Sequence, residues 1–201
     1  MIRFNDEFIP SPDGDGPARE RDQLVALLRL GDPAEQRRGL AGLISADAQE
    51  ELTDCLRCAD PTVVQLATAG LWECWLNEKG ASARQMMEEG IELMEAGHFA
   101  SSAKIFLTLI QQHPDWAEAL NKQATLLYLC GEAAASLEFC KKVVTLKPNH
   151  FGAWNGMALC AVELEDWQGA LAAAENALRI QPGAESNHEI VRLAKRKLKE
   201  A

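Results

Sequence analysis

The sequence predicts an all-α protein in which helical hairpins stack in a row, an α-solenoid. Apolar residues recur at helical spacing from about residue 17 onward, with almost no signal for strands. In addition, Pro114, Pro148 and Pro182 lie 34 residues apart, each after a stretch that fits two helices. Because proline cannot continue a helix, each of them ends one. A fixed period of this length is typical of stacked two-helix units.

Two prolines and two glycines between residues 10 and 16 predict an extended tail over residues 1–16. Residues 17–80 are predicted to form four short helices in two antiparallel hairpins. Asp32-Pro33 and Asp60-Pro61 each supply an N-cap followed by proline at the first helical position, and Glu35 completes a capping box after the first of them.

In the repeated part of the chain, other residues besides the prolines recur at the same position in each copy. Gly97 and Gly131 each precede a proline by 17 residues, where a turn between two helices is expected, and Glu165 takes this position in the third copy. Small and apolar residues also recur once per copy at fixed positions, namely Ser102, Ser136 and Ala170, then Leu109, Val143 and Ala177. The agreement of several positions over three copies indicates a true internal repeat.

This 34-residue unit resembles the tetratricopeptide repeat. The third copy matches best, through Trp154, Trp167, Ala170, Ala177 and Pro182. The first copy departs, because Met86 replaces the usual aromatic residue and Glu89 an apolar one, so we expect its outer face to pack differently, for example against Trp72 and Trp75. The resemblance implies a right-handed solenoid with three tetratricopeptide repeats over 83–185 and a C-terminal capping helix over 186–201.

Two further resemblances concern parts of the chain. The segments starting at Asn121 and Asn149 are similar to a group of uncharacterised bacterial and plant or algal tetratricopeptide proteins. The Asp-Pro starts of the N-terminal hairpins resemble, more loosely, those of HEAT-type repeats.

Composition and motifs argue against several classes of function. The 201 residues carry 20 Lys+Arg against 30 Asp+Glu, and a formal charge of −10 opposes binding of nucleic acid by a general basic surface. The sequence contains no phosphate-binding glycine loop, no Gly-x-Ser-x-Gly elbow and no His-Glu-x-x-His, and its four histidines show no ligand or triad spacing. We therefore predict a protein that is not an enzyme and needs no cofactor or metal.

We expect the protein to be soluble and to reside in a reducing compartment. No apolar run is long enough to cross a bilayer, which argues against direct membrane insertion. The six cysteines lie mostly in apolar helical stretches without the spacing of a disulfide framework. Cytoplasm and organelle interior both fit, and the resemblance adds the chloroplast stroma as a candidate.

Cys55 and Cys58 form the one motif in the sequence that is typical of redox or metal-binding sites. Thiolates three residues apart share a helix face and can bind a metal or exchange disulfides. A structural zinc site needs two more ligands, and no second Cys-x-x-Cys or histidine pair is present. The alternative, which we favour, is that the two side chains only pack a helical hairpin.

The C-terminal helix carries a basic cluster, Arg192, Lys195, Arg196, Lys197 and Lys199. Cations near a helix C-terminus complement the helix dipole, and we interpret the cluster in this way. A binding site for phosphate or for an acidic partner is the alternative.

The resemblance implies a concave groove lined by the first helix of each repeat. Its lining residues would be Met87, Ile91, Met94, Asn121, Lys122, Thr125, Tyr128, Asn155, Leu159 and Val162. Asn121 and Asn155 are one repeat apart, and carboxamides can hold a peptide backbone. Alternatively, these two side chains contact neighbouring helices.

Tetratricopeptide modules that bind the acidic C-terminus of heat-shock chaperones clamp its carboxylate with Lys, Asn and Arg. The corresponding positions here hold Met87, Ile91, Lys122, Gly152 and Gly156. Only Lys122 can bind a carboxylate, so the sequence argues against such a clamp.

Three hypotheses of function follow. The first is a non-enzymatic adaptor or assembly factor that binds an extended or helical partner segment in the groove. The second is a permanent structural subunit of a larger complex that uses its outer face and N-terminal tail. The third is a thiol-redox or metal-binding protein that uses Cys55 and Cys58.

Overall fold

The computed structural model describes residues 16–200, except the side chain of Pro17, so the predicted tail lies outside the described residues apart from Gly16, which begins the first helix. This part of the chain is entirely helical and contains no strand, which confirms the predicted fold class. The helices are α1 Gly16–Leu30, α2 Pro33–Ser45, α3 Gln49–Cys55, α4 Pro61–Asn77, α5 Gly80–Glu95, α6 Phe99–Gln112, α7 Ala117–Leu129, α8 Ala133–Leu146, α9 Phe151–Glu163, α10 Trp167–Ile180 and α11 Glu185–Glu200.

The two Asp-Pro pairs start helices as the sequence predicts. The Asp32 carboxylate accepts hydrogen bonds from the backbone N–H groups of Ala34 and Glu35, at 2.8 and 2.9 Å. The Glu35 side chain accepts in return from the backbone of Asp32, which completes the capping box. Asp60 caps α4 through the backbone N–H of Thr62.

The repeats form three helical pairs, α5–α6, α7–α8 and α9–α10, followed by α11. Gly97 and Gly131 turn between paired helices with φ angles of 78° and 80°, and Glu165 adopts the same left-handed conformation at 55°. The hydroxyls of Ser102 and Ser136 donate to the backbone carbonyls of Gly90 and Ala124, at 2.7 and 2.8 Å. The small residues that recur in register thus tie the second helix of a pair to the first.

The helices of the repeats lie in two rows. The first helices of the pairs, α5, α7 and α9, contact each other in sequence, and α11 continues the row by contacting α9. The second helices, α6, α8 and α10, lie between them on the other side. In a helical solenoid the row in which consecutive repeats touch forms the concave face. We call α5, α7, α9 and α11 the inner helices.

The N-terminal helices share a hydrophobic core with the repeats. Leu52, Leu71 and Trp75 belong to one buried cluster with Phe151 of α9 and Ile180 of α10. The expectation that Trp72 and Trp75 cover the outer face of the first repeat is wrong, because both rings lie against the start of the third repeat. The Trp75 ring stacks on His150 with centroids 4.1 Å apart, and Trp72 meets Phe151 at 5.3 Å.

Candidate functional site: the two ends of the concave face

The concave face has two differently built ends. The end formed by the first turns of α7 and α9 is covered by α4, and we call it the closed end; its residues are Trp72, Trp75, Glu118, Lys122, His150 and Gly152. The end formed by the last turns of α7 and α9 and by α11 is not covered by any other element of residues 16–200, and we call it the open end; its residues are Tyr128, Leu159, Val162, Leu193 and Arg196.

At the closed end the Trp72 side chain takes up the space beside Gly152. A Cβ atom at position 152 would lie 2.7 Å from Cη2 of Trp72, closer than such atoms approach in proteins. The ammonium of Lys122 lies 5.0 Å from the centre of the Trp72 ring, in cation–π contact. Two of the five positions at which a chaperone tail would be clamped, 122 and 152, are therefore in contact with this chain's own tryptophan.

Beneath this ring lies a buried polar cluster around Glu118. The carboxylate is 0% exposed, and its Oε2 atom is 3.0 Å from Nε2 of His150, which is also 0% exposed. Asn121 donates to the same oxygen at 3.3 Å. Lys122 Nζ lies 2.9 Å from Oε1 in an ion pair whose orientation is outside hydrogen-bond geometry.

The hydrogen bonds of His150 define its tautomer. Nδ1 accepts from the backbone N–H of Ala153 at 3.0 Å and so caps α9. A nitrogen that accepts carries no proton, so the proton is on Nε2, which donates to Glu118. The imidazole is therefore neutral and links the start of α9 to α7.

The cluster keeps Glu118 ionised in spite of its burial. Burial acts to raise the pKa of Glu118, but the hydrogen bond from His150 and the charge of Lys122 outweigh it, and the pKa lies below the usual value of a glutamate. A buried carboxylate with these partners stabilises the folded state and is not a group held ready to accept a proton.

Further polar contacts join α3 and α4 to the closed end. The indole of Trp75 donates to Gln49 at 2.9 Å, and the backbone carbonyl of Trp75 accepts from the indole of Trp116 at 2.8 Å. Lys147 reaches Gln49 and Glu78 at 3.1 and 2.9 Å. The closed end is thus an internal interface that joins polar contacts to a packed aromatic cluster.

The open end has no such cover among the described residues. A depression of about 600 Å³ lies between α9 and α11, with Leu159, Val162 and Leu193 as apolar lining and Arg192 and Arg196 beside them. A second depression of about 460 Å³ contains Tyr128, Leu129 and Glu163. Burial, with a contribution from Glu163, raises the pKa of Tyr128, so its hydroxyl remains a hydrogen-bond donor.

The predicted groove residues divide between the core and the surface. Met87 is 0% exposed and Met94 is 9% exposed, both in the cluster that joins α5 to α6. The expectation that these two side chains form groove surface is wrong, because both methionines fill the space between α5 and α6. Asn121 is buried and donates to Glu118 of its own helix, α7, so it is not groove surface.

The remaining predicted residues keep some exposure on the inner row. Ile91, Tyr128, Asn155, Leu159 and Val162 are half-buried, and Thr125 is exposed with its hydroxyl bonded to the carbonyl of Asn121. Asn155 Oδ1 is a buried acceptor without a hydrogen-bond partner in the described part of the chain. Lys122 is engaged by Glu118 and Trp72 and so is not available to a ligand.

Sequence reasoning missed Glu118 and His150 as a pair, because 32 residues separate them and neither belongs to a known motif. It also missed Trp72 as the group that fills the closed end. A signal existed in Gly152, since glycine is costly inside a helix and often marks a close approach of another group.

Cys55 is the last residue of α3, whereas Cys58 follows the helix, so the two thiols do not share a helix face. Cys55 is buried, its sulfur accepts from Nε of Arg29 at 3.4 Å, and burial raises the pKa of its thiol. A redox nucleophile needs the opposite shift. Over residues 16–200, no group of three or more His, Cys, Asp or Glu side chains is placed to hold a metal ion.

Comparison with known proteins agrees with this architecture. Residues 87–151 match the family model of the tetratricopeptide repeat. A TPR repeat-containing protein of Rhizobium etli is 28% identical over 124 residues, which make up 62% of this chain and 61% of that protein. This match therefore spans less than two thirds of the relative's length. Residues 87–151 therefore match the tetratricopeptide repeat, in agreement with the 34-residue spacing.

Solved structures show the same fold at low sequence identity. The first TPR of Spaghetti (RPAP3) bound to the HSP90 peptide SRMEEVD is 15% identical, with a TM-score of 0.57 over 58% of this chain and 93% of that one. The TPR2AB domain of yeast Sti1 in complex with pHSP90 is 17% identical, with a TM-score of 0.51 over 91% of this chain and 81% of that one. The MamA protein is 12% identical, with a TM-score of 0.55 over 89% and 84%. At these identities the likeness establishes the fold alone.

Between residues 16 and 200, no helix combines the length and apolar character needed to cross a membrane.

Proposed function

We propose that this protein is a non-enzymatic interaction module that binds an extended or helical segment of a partner protein at the open end of its concave face. The observation that carries the proposal is the contrast between the two ends. The closed end is filled by Trp72 and Trp75 from α4, whereas the open end presents half-buried apolar side chains around a depression of about 600 Å³.

The open end offers the two kinds of contact that a peptide needs. Leu159, Val162 and Leu193 can receive one or two apolar side chains. The hydroxyl of Tyr128, in the second depression at this end, can donate a hydrogen bond to a peptide carbonyl. A structure of this fold has been solved with an HSP90 peptide, which supports peptide binding as a use of the fold.

The proposed binding does not use a clamp for a chaperone tail. Position 152 is covered by the Trp72 ring, and the Lys122 charge is paired with Glu118. A free C-terminal carboxylate therefore finds no open cationic position at this end. Amidation of the C-terminus of SRMEEVD, the peptide bound to the first TPR of Spaghetti (RPAP3), should therefore not change its affinity for the wild-type chain.

The experiment is selection of a random 12-residue peptide library against the immobilised wild-type chain, followed by affinity measurement of the enriched peptides. An open-end variant, Leu159→Glu with Val162→Glu, is compared with an outer variant, Leu107→Glu with Leu146→Glu. The two outer leucines are 43% and 47% exposed on α6 and α8, so the variants are matched in charge and in residue type at all but one position.

We expect the open-end variant to bind the selected peptides at least about tenfold more weakly and the outer variant to bind within about twofold of wild type. Circular dichroism and urea unfolding establish that all three chains fold. Equal binding by the open-end variant, or weakened binding by the outer variant alone, would contradict the proposal.

The second result would favour the alternative of a structural subunit held by its outer face. No specific observation favours that alternative at present, since single exposed leucines such as Leu107 and Leu146 are normal on protein surfaces.

A further inference from the structure

The last inner helix, α11, places cationic side chains next to the apolar lining of the open end. Arg192, Leu193 and Arg196 of α11 line the same depression as Leu159 and Val162 of α9. The apolar lining and two guanidinium groups therefore lie next to each other in one depression.

Most cations of α11 have acidic partners within the chain. Arg192 pairs with Glu185 at 2.8 Å, Lys195 with Glu175 at 3.2 Å and Lys197 with Glu200 at 3.7 Å. Arg196 makes no ion pair with any residue in the described range 16–200. Glu189 is the one acidic residue that lines the depression with it, and it precedes Arg196 by two turns, about 10 Å along the helix axis.

The helix dipole does not account for Arg196. A dipole favours cations in the last turn of a helix, where Lys197 and Lys199 already lie. It does not require a cation on the inward surface beside leucine and valine. An arginine there is suited to a carboxylate, because the planar guanidinium can bind both oxygens of a carboxylate at once.

We propose that the open end selects an acidic-aliphatic segment, in which an Asp or Glu side chain pairs with Arg196 while a nearby aliphatic side chain enters the Leu159–Val162–Leu193 depression. This inference rests on the proposed function and adds the chemistry of the partner. It runs against the charge of the whole chain, since a protein with a formal charge of −10 attracts basic peptides at long range. A preference for acidic segments therefore needs a local cause.

The test is the same peptide selection carried out in parallel with wild type, Arg196→Glu and a control, Lys104→Glu. Lys104 is exposed on the outer helix α6, so the control changes the net charge by the same amount away from the concave face. We expect the wild-type and Lys104→Glu pools to be enriched in Asp or Glu near Leu or Ile. The Arg196→Glu pool should lose this enrichment and gain Lys or Arg at the same positions.

The strongest wild-type peptide then enters a charge-swap cycle. Replacing its acidic residue by glutamine, or Arg196 by glutamate, should each weaken binding about tenfold. Arg196→Glu with a peptide that carries lysine at the acidic position should recover most of the affinity. A rise in salt from 50 to 500 mM should weaken the wild-type pair more than the glutamine peptide.

The outcomes separate the two proposals. If the pools depend on Leu159 and Val162 but show no acidic enrichment, or if the enrichment is unchanged in Arg196→Glu, the inference is wrong and the proposed function stands. If the open-end variant selects the same peptides as wild type, binding occurs elsewhere, and both proposals are wrong.

Discussion

The closed and open ends of the concave face are built on the same inner helices but are used in opposite ways. At the closed end, α4 covers the first turns of α7 and α9, and a buried glutamate, a neutral histidine and two tryptophans form an internal interface. At the open end, the last turns of these helices carry half-buried apolar residues, and α11 adds Arg196, which has no ion-pair partner in the described chain. Repeats of one architecture thus supply both a structural junction and a surface that no other element of residues 16–200 covers.

The comparison predicts that stability resides in the closed end. Trp75 is 2% exposed, stacks on His150 and makes hydrogen bonds through both its indole and its carbonyl. Trp75→Ala should lower the free energy of unfolding by about 3–5 kcal/mol, because it leaves a large cavity and removes the hydrogen bond from the indole to Gln49. Leu129→Ala, at a residue 53% exposed near the open end, should change it by less than about 1 kcal/mol. Urea unfolding followed by circular dichroism measures the free energy of unfolding of both variants. Similar decreases in the two would contradict the prediction that stability resides in the closed end.

A smaller effect, with a pH dependence, is expected for the buried carboxylate. Glu118→Gln should lower the free energy of unfolding by about 1–3 kcal/mol at pH 7, since the Lys122 charge loses its partner. The pKa of Glu118 is lower in the folded chain than the ordinary value of 4.5. A carboxyl group of this kind stabilises the fold above its unfolded pKa, and the contribution is lost as the pH falls toward the folded pKa.

The difference in stability between wild type and Glu118→Gln should therefore be constant from pH 7 to about 5 and should shrink below about pH 4.5. Unfolding curves collected at half-unit pH intervals measure it. A difference that grows as the medium becomes acidic would have the wrong sign and would contradict the assignment of an ionised Glu118.

The smallest expected effect concerns the thiols. Cys130 is exposed and Cys58 half-buried, whereas Cys55, Cys74, Cys140 and Cys160 are buried. Titration of the native chain with a thiol reagent should show one fast cysteine and one slower one, and the other four should react only after urea is added. Cys130→Ser should remove the fast phase. A fast phase that persists in Cys130→Ser and disappears in Cys58→Ser would support the redox hypothesis for Cys55 and Cys58.

The repeats were predictable because each copy carries the same kinds of residue at the positions where helices end and turn. The prolines end helices, and Gly97, Gly131 and Glu165 occupy one turn position, all with left-handed backbone. The capping box at Asp32 is likewise a local signal that the structure reproduces. Local signals of this kind do not depend on how distant parts of the chain meet.

The two ends of the concave face were less predictable because they depend on long-range packing. From the geometry of the family we expected Met87 and Met94 in the groove. In the structure both side chains pack against α6 in a buried cluster. The placement of Trp72 on Gly152 joins residues 80 positions apart, for which periodicity gives no information. Arg196 was recognised as basic, but its lack of a partner emerges only when the acids that neutralise its neighbours are located.

The most direct test of the account is the position of a bound peptide on the molecule. A peptide selected by the wild-type chain and carrying a photo-reactive residue is cross-linked to it, and the modified fragments are identified by mass spectrometry. The account predicts cross-links in α9 between Leu159 and Glu163 and in α11 between Ile190 and Lys197, with few on the outer helices. Cross-links concentrated on α4 near Trp72, or on α6 and α8, would contradict the claim that the open end is the binding surface.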